Sequence, residues 1–190
     1  TAGTLLEKDL MVLELVHKKI RSGENVLIYT SWTRLDTQKK LLLNLEQEGI
    51  PTELMSPSVT PAKREAWLAN KAANGMRVLI ANPSLIETGI DLNMFTTLIF
   101  YNVNYNPFTL RQASRRSWRI NQTALRIEVY FFYYIGTVQE RALHLMATKL
   151  AAAGIIRLDG SRDENADICR AYSKLQYGRV RQIDRALLST

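Results

Sequence analysis

Short apolar runs rich in β-branched and aromatic residues recur along this chain at Val26–Tyr29, Arg77–Ala81, Thr97–Tyr101 and Ile127–Tyr134, with a weaker one at Thr52–Met55. Helical patterns fill the intervals. Thr33–Glu48 is closed by Gly49, Pro61–Ala73 is opened by Thr60 as cap with Pro61 in the first turn, and Phe108–Trp118 and Val138–Ala152 follow. An opening helix is expected over Leu5–Ile20, with Leu6, Leu10, Leu13 and Ile20 on one face and Gly23 to end it. A strand that reads as an unbroken apolar run is covered on both faces, and such strands alternating with helices imply a parallel sheet. The expected fold is therefore α/β, a doubly wound, mostly parallel sheet with helices on both faces. Ligands of such sheets bind beyond the carboxyl ends of the strands, which directs attention to the loops after Tyr29, Ala81 and Tyr101.

At 190 residues, with 46% apolar content and only 9 Gly and 5 Pro, the chain is long enough to bury one ordinary core and too apolar for disorder. Its most apolar stretch, Val129–Ile135, is strand-length and too short to cross a bilayer, and no signal peptide or membrane anchor is read. The single cysteine, Cys169, allows no internal disulfide, and with only His17 and His144 no metal site is expected; a reducing cytoplasm fits. Lys and Arg total 25 against 18 Asp and Glu, a charge of +7 that inclines the chain toward a polyanionic partner. The main domain is expected over residues 1–156. Residues 157–190 are expected to add one or two helices, around Ile168, Tyr172 and Leu175 and around Val180 and Ile183, or to fray. The acidic residues Asp163, Glu164 and Asp167 in that tail read as a helix start or solvated turn.

Three segments carry candidate chemistry. Directly after the first apolar run comes Thr-Ser-Trp-Thr-Arg-Leu, where Ser31 or Thr33 is placed to cap the next helix. Free amides and hydroxyls there suit a backbone phosphate, while Trp32 either stacks on a base or covers the sheet edge. In Ile80–Leu92 a buried run ends in a Thr-Gly turn before an acid. Gly89 lets the backbone approach a sugar or phosphate, Thr88 offers a hydroxyl and an amide, and Asp91 suits a ribose hydroxyl or an arginine, although the same residues also make a plain turn. The third segment is Gln112–Gln122. On a helix, Gln112, Arg116 and Arg119 share one stripe, which sets two guanidiniums and a carboxamide toward a polyphosphate.

No Gly-x-x-x-x-Gly-Lys-[Ser/Thr] phosphate loop occurs, nor a Gly-x-Gly-x-x-Gly after the first strand, so the chain is not expected to hold a nucleotide alone. In order and spacing, NVLIYTSWTRL, ETGIDL, LIFYNVNYNP, QASRRSWRINQ and EVYFFYYIGTVQERAL resemble the C-terminal RecA-like domain of superfamily 2 helicases, nearest to the Swi/Snf-type DNA translocases, over about Glu24–Leu150. That resemblance implies a RecA-like fold of the P-loop NTPase type without its own P-loop. It implies that Arg116 and Arg119 are arginine fingers for ATP, with Mg, held by an N-terminal lobe of the same polypeptide, and that Gln112 lies on their surface. Gly89 and Asp91 would couple nucleotide to the track, and Ser31, Trp32, Thr33 and Thr88 would contact the nucleic-acid backbone. Trp118, Asn121, Arg115 and the Asn104-Tyr105 pair stand where the family usually has His, Gly, Asp and Asp-Trp, which points to a divergent relative. The readings left open are a DNA translocase lobe, an RNA helicase lobe, and a non-catalytic basic α/β module that grips phosphates.

Overall fold

The computed structural model describes residues 5–30, 36–86, 90–102, 128–134, 136–143, 145, 170–175 and 178–183. In chain order these form α1 (Glu7–Arg21), β1 (Val26–Tyr29), α2 (Thr37–Gln47), β2 (Thr52–Leu54), α3 (Pro61–Ala73), β3 (Val78–Ala81), α4 (Pro83–Ile86), β4 (Thr97–Phe100), β5 (Glu128–Tyr134), α5 (residues 138–143), β6 (Arg170–Leu175) and β7 (Gly178–Ile183). The sheet runs β2-β3-β1-β4-β5-β7-β6. The first five strands in that order are parallel neighbours, and β7 pairs antiparallel with both β5 and β6.

Full burial of β1, β3 and β4 follows from the apolar runs: alternate side chains feed two separate cores. Val26, Ile28, Val78, Ile80, Ile99, Tyr130 and Phe132 meet α1 and α2 through Val12, Val16, Leu41 and Leu45. Leu27, Tyr29, Leu79, Ala81, Leu98, Phe100, Phe131 and Tyr133 face the other way, toward Leu68 of α3 and Leu143 of α5. The doubly wound arrangement read from the sequence is thus present.

Helix ends follow local chemistry. After α2, Gly49 adopts φ 71°, a conformation that favours glycine; its N–H donates to Glu46 O at 2.9 Å and that of Ile50 to Leu45 O at 3.0 Å. This is a Schellman closure, and its hydrophobic partners Ile50 and Leu45 share one core. Gly23 ends α1 in the same way, with φ 82°. Thr60 precedes Pro61 at the start of α3 as expected, but its side chain makes no capping bond.

Several expectations are corrected. α2 begins at Thr37 with Asp36 as its left-handed N-cap, so neither Ser31 nor Thr33 caps it. On α1, Leu6 and Leu10 are about half exposed, at 53% and 51%, while Asp9, Val12, Val16 and Lys19 are buried. Branched Val12 and Val16 lie on the sheet, and the polar residues at either end are drawn in because they find partners there. In the tail, Arg170–Leu175 and Gly178–Ile183 are strands rather than the expected helices. The free edge of β5 supplies a full ladder from Val129↔Ile183 to Tyr134↔Gly178, and ladder bonds across strands override a weak helical periodicity.

Candidate functional site

The chain leaves β1 toward β2 on one side and leaves β4 toward β5 on the other, so the topological switch point falls between the carboxyl ends of β1 and β4. A crevice for ligands is expected there. The strand ends beneath it are aromatic. Tyr29, Phe100 and Phe131 sit at one register level of adjacent strands, with ring centroids 4.9 Å and 5.1 Å apart and interplanar angles of 26° and 15°. Such stacking fixes the level at which each following loop departs.

Immediately above, Thr30 Oγ1 donates to Asn102 Oδ1 at 2.8 Å, a buried bond that ties the root of the segment after β1 to the root of the segment after β4. The Thr30 N–H donates to Ala81 O at 3.1 Å, which brings in the end of β3, and Gln38 Nε2 donates to Thr30 O at 3.3 Å. At β3, Asn82 Oδ1 accepts from the amide and the hydroxyl of Ser84, both at 3.0 Å, which starts the single turn of α4. Asp91 follows, half-buried, with Oδ1 accepting from the Asn93 amide and Oδ2 from Asn93 Nδ2, each at 3.1 Å. This Asx turn fixes the carboxylate. Each oxygen keeps a second lone pair for a further donor.

A charged node braces the same edge from the α1 face. Asp9, fully buried, accepts from Tyr101 Oη at 2.7 Å, Lys40 Nζ at 2.6 Å and the Leu6 amide at 2.8 Å. Lys8 Nζ lies 4.6 Å from the Tyr101 ring centre and 5.6 Å from that of Tyr134, and donates to Gln139 Oε1 at 3.2 Å. Burial lowers the Lys8 pKa to about 8 against the opposing pull of Asp9. Burial, then the hydrogen bond to Asp9, raises that of Tyr101. The far end of α1 is fastened at the opposite edge of the sheet, where Lys19 pairs with Glu128 and, at 3.1 Å, with Glu24.

Of the candidate residues read from the sequence, Asp91 lies among the described residues, in the segment between α4 and β4. Ser31, Trp32, Thr33, Thr88, Gly89, Gln112, Arg116 and Arg119 lie outside the described residues. The roots of their segments, at Thr30, Ile86, Ile90 and Asn102, are described, and Thr30 and Asn102 are bonded to each other. The Thr30–Asn102 pair and the Asp9 node were not read from the sequence. A polar residue directly after an unbroken apolar strand was the available signal for the pair. Asp9 gave none for its side-chain partners Lys40 and Tyr101, which are 31 and 92 residues away.

This fold and this edge define an α/β domain of the RecA-like class. A solved structure described as the C-terminal part of the Fun30 ATPase domain matches with TM-score 0.61 at 20% identity, covering 73% of this chain and 44% of that one. The chain belongs to the family described as the helicase conserved C-terminal domain, whose family model matches residues 7–121. Protein CHROMATIN REMODELING 4 of Arabidopsis thaliana is 32% identical over 161 residues, 84% of this chain and 7% of that protein. ATP-dependent helicase fft1 of Schizosaccharomyces pombe is 26% identical over 174 residues, 90% of this chain and 18% of that protein. This chain therefore spans less than a fifth of the length of either relative. Among the described residues, no helix is long and apolar enough to cross a membrane.

Proposed function

We propose that this chain is the second motor lobe of an ATP-dependent DNA translocase or helicase of the Swi/Snf type, acting with an N-terminal lobe of the same polypeptide. The observation that carries this reading is topological. Within the span matched by the family, the segments bearing Ser31 to Thr33 and Gln112 to Arg119 leave from two roots, Thr30 and Asn102, joined at the switch point of the sheet.

In this reading Arg116 and Arg119 reach across a cleft to the phosphates of ATP bound by the other lobe, with Gln112 on the same surface. Guanidiniums and a carboxamide stripe donate to phosphate oxygens and offer no carboxylate for magnesium, so the metal belongs to the other lobe. Positive charge placed where negative charge develops on the transferred phosphoryl group is worth about 10³ to 10⁵ in rate. Ser31, Trp32, Thr33 and Thr88 hold the backbone of the tracked strand, which gives grip without choice of sequence. Gly89 and Asp91 link the two functions. The lone Cys169 suits a reducing compartment such as the cytoplasm.

Steady-state ATP turnover with and without DNA tests the reading. The present chain alone is expected to show no turnover above buffer. The two-lobed protein is expected to hydrolyse ATP, and Arg119→Ala to abolish turnover while nucleotide binding persists; unchanged turnover in that variant refutes the finger role. The +7 charge favours a second reading, a phosphate-gripping module without ATP chemistry. Filter binding against salt separates the two: a pure binder holds DNA alone with a steep negative salt slope, whereas a lone motor lobe binds feebly. Replacing the DNA by RNA in the turnover assay identifies the track.

A further inference from the structure

The first turns of α1 carry their charges inward and their leucines outward. Lys8 and Asp9 are 5% and 0% exposed, whereas Leu5, Leu6 and Leu10 are 39%, 53% and 51% exposed. Leu10 stands one residue from Asp9, about 100° round the helix, so a rotation of α1 would bury leucine in place of the carboxylate. The fold prevents it. Asp9 accepts from Tyr101 Oη, Lys40 Nζ and the Leu6 amide, while Lys8 Nζ lies against the Tyr101 and Tyr134 rings and donates to Gln139 Oε1. Burial lowers the Lys8 pKa to about 8, which marks the cost of keeping that ammonium inside.

The outward leucines border a second helix. Leu6, Leu10, Leu13 and His17 recur at helical spacing and share one stripe of α1. His17 Nε2 lies 3.3 Å from Glu48 Oε2, just past the end of α2, and Asp9 meets Lys40 of α2, so this stripe runs beside α2. One turn beyond Lys40, Leu43 is 43% exposed, and Leu13 is buried in the core that the two helices share. Leu5, Leu6, Leu10 and Leu43 thus line an open seam between α1 and α2. Its upper end is fixed at the carboxyl edge of the sheet, because Tyr101 and Tyr134 stand at the ends of β4 and β5.

Single exposed leucines need no explanation, but a seam of them held outward by buried charges does. Four residues are too few for an independent partner, since a stable interface between separate proteins takes about 20–30 residues a side. They suffice for a partner already tethered, whose effective concentration is set by the connection. In the motor reading the other lobe comes earlier in the polypeptide and joins this one through the residues ahead of α1. We propose that Leu5, Leu6, Leu10 and Leu43 form a docking seam for the N-terminal lobe of the same polypeptide, met when the two lobes close on ATP. The occupant rests on the motor reading above; the outward seam does not.

The test uses the full two-lobed protein. With Leu10→p-benzoylphenylalanine, irradiation in the presence of a non-hydrolysable ATP analogue is expected to join position 10 to a peptide of the N-terminal lobe, in a yield independent of protein concentration. Crosslinks within this lobe alone, or to a second molecule in a yield that rises with concentration, overturn the proposal. Closure is read by energy transfer between dyes on the two lobes. The closed-to-open ratio with the analogue is expected to fall about ten-fold in the double variant Leu6→Gln/Leu10→Gln. It is expected to stay within about two-fold of wild type in Leu145→Gln, whose leucine is 46% exposed and lies two residues beyond Leu143, on the opposite helical layer. An unchanged ratio in the double variant overturns the docking role, and so does an equal fall in Leu145→Gln. Should the double variant fail to fold, Leu10→Ala carries the same closure readout. A wild-type protein whose lobes do not close on the analogue removes the motor reading, and the crosslink then decides the occupant alone.

Discussion

At the scale of single residues, the charges buried beneath the carboxyl edge make the sharpest predictions. Lys8 holds its proton less tightly in the fold, with a pKa of about 8 against 10.5, because burial removes more hydration than Asp9 restores. Between those two values the unfolded chain binds more protons than the folded one, so stability climbs as pH rises from about 8 and lies on its lower plateau below that. The climb is cut off near pH 10, where unfolded tyrosine ionises while Tyr101, raised by burial and by its bond to Asp9, keeps its proton. Lys8→Met fills the same space without charge. It is expected to be neutral or stabilising by about 1–4 kcal/mol at pH 7 and to flatten the rise above pH 8, as read by urea melts across that range. Asp9→Ala has the opposite sign. It strands the Lys40 ammonium and the Tyr101 hydroxyl, so a loss of about 3–5 kcal/mol is expected in the same melts.

At the scale of elements, helix ends and helix faces obey different rules. Ends are local. A Cβ at Gly49 would meet nothing within 4 Å, so Gly49→Ala tests conformational strain at φ 71° alone and is expected to cost about 1 kcal/mol, with Gly49→Asn costing less. Faces are not local, and Leu68 shows why. It is 4% exposed because the sheet and the turns after β3 enclose it, and Leu68→Ala is expected to cost about 2–5 kcal/mol in thermal or denaturant unfolding. The same distinction explains α1. Its span was legible from apolar spacing and from Gly23, but its buried face was not, since Leu6 and Leu10 are the more apolar residues and yet lie outward. Asp9 and Lys19 lie inward because Tyr101 and Glu128 wait at opposite edges of the sheet.

At the scale of the whole molecule, the sheet order decides both where the site lies and how the sheet ends. The order β2-β3-β1-β4-β5 puts the exits of β1 and β4 side by side, although Thr30 and Asn102 are 72 residues apart in the chain. Beyond β5, the antiparallel β7 and β6 continue the sheet. A chain truncated before Arg170 loses that cover and exposes the backbone edge of β5. It is expected to form concentration-dependent oligomers in size-exclusion chromatography, where the full chain gives one peak; a truncated chain that stays monomeric would show the hairpin to be dispensable as edge protection.

The bounds of β1 and α3 were legible to the residue, since an unbroken apolar run of strand length and a Thr-Pro start are signals carried by neighbouring residues. The parallel, two-faced sheet followed from the same runs, while the candidate segments were proposed from residue type and spacing. What tertiary structure alone decided is which distant groups meet: Thr30 with Asn102, Asp9 with Tyr101 and Lys40, Arg64 with Leu85, and the tail as strands instead of helices. The physical reason is common to all four. Hydrogen bonds and ion pairs between residues far apart in sequence leave no periodic trace, whereas apolar burial on a helix or strand repeats with the geometry of the backbone itself.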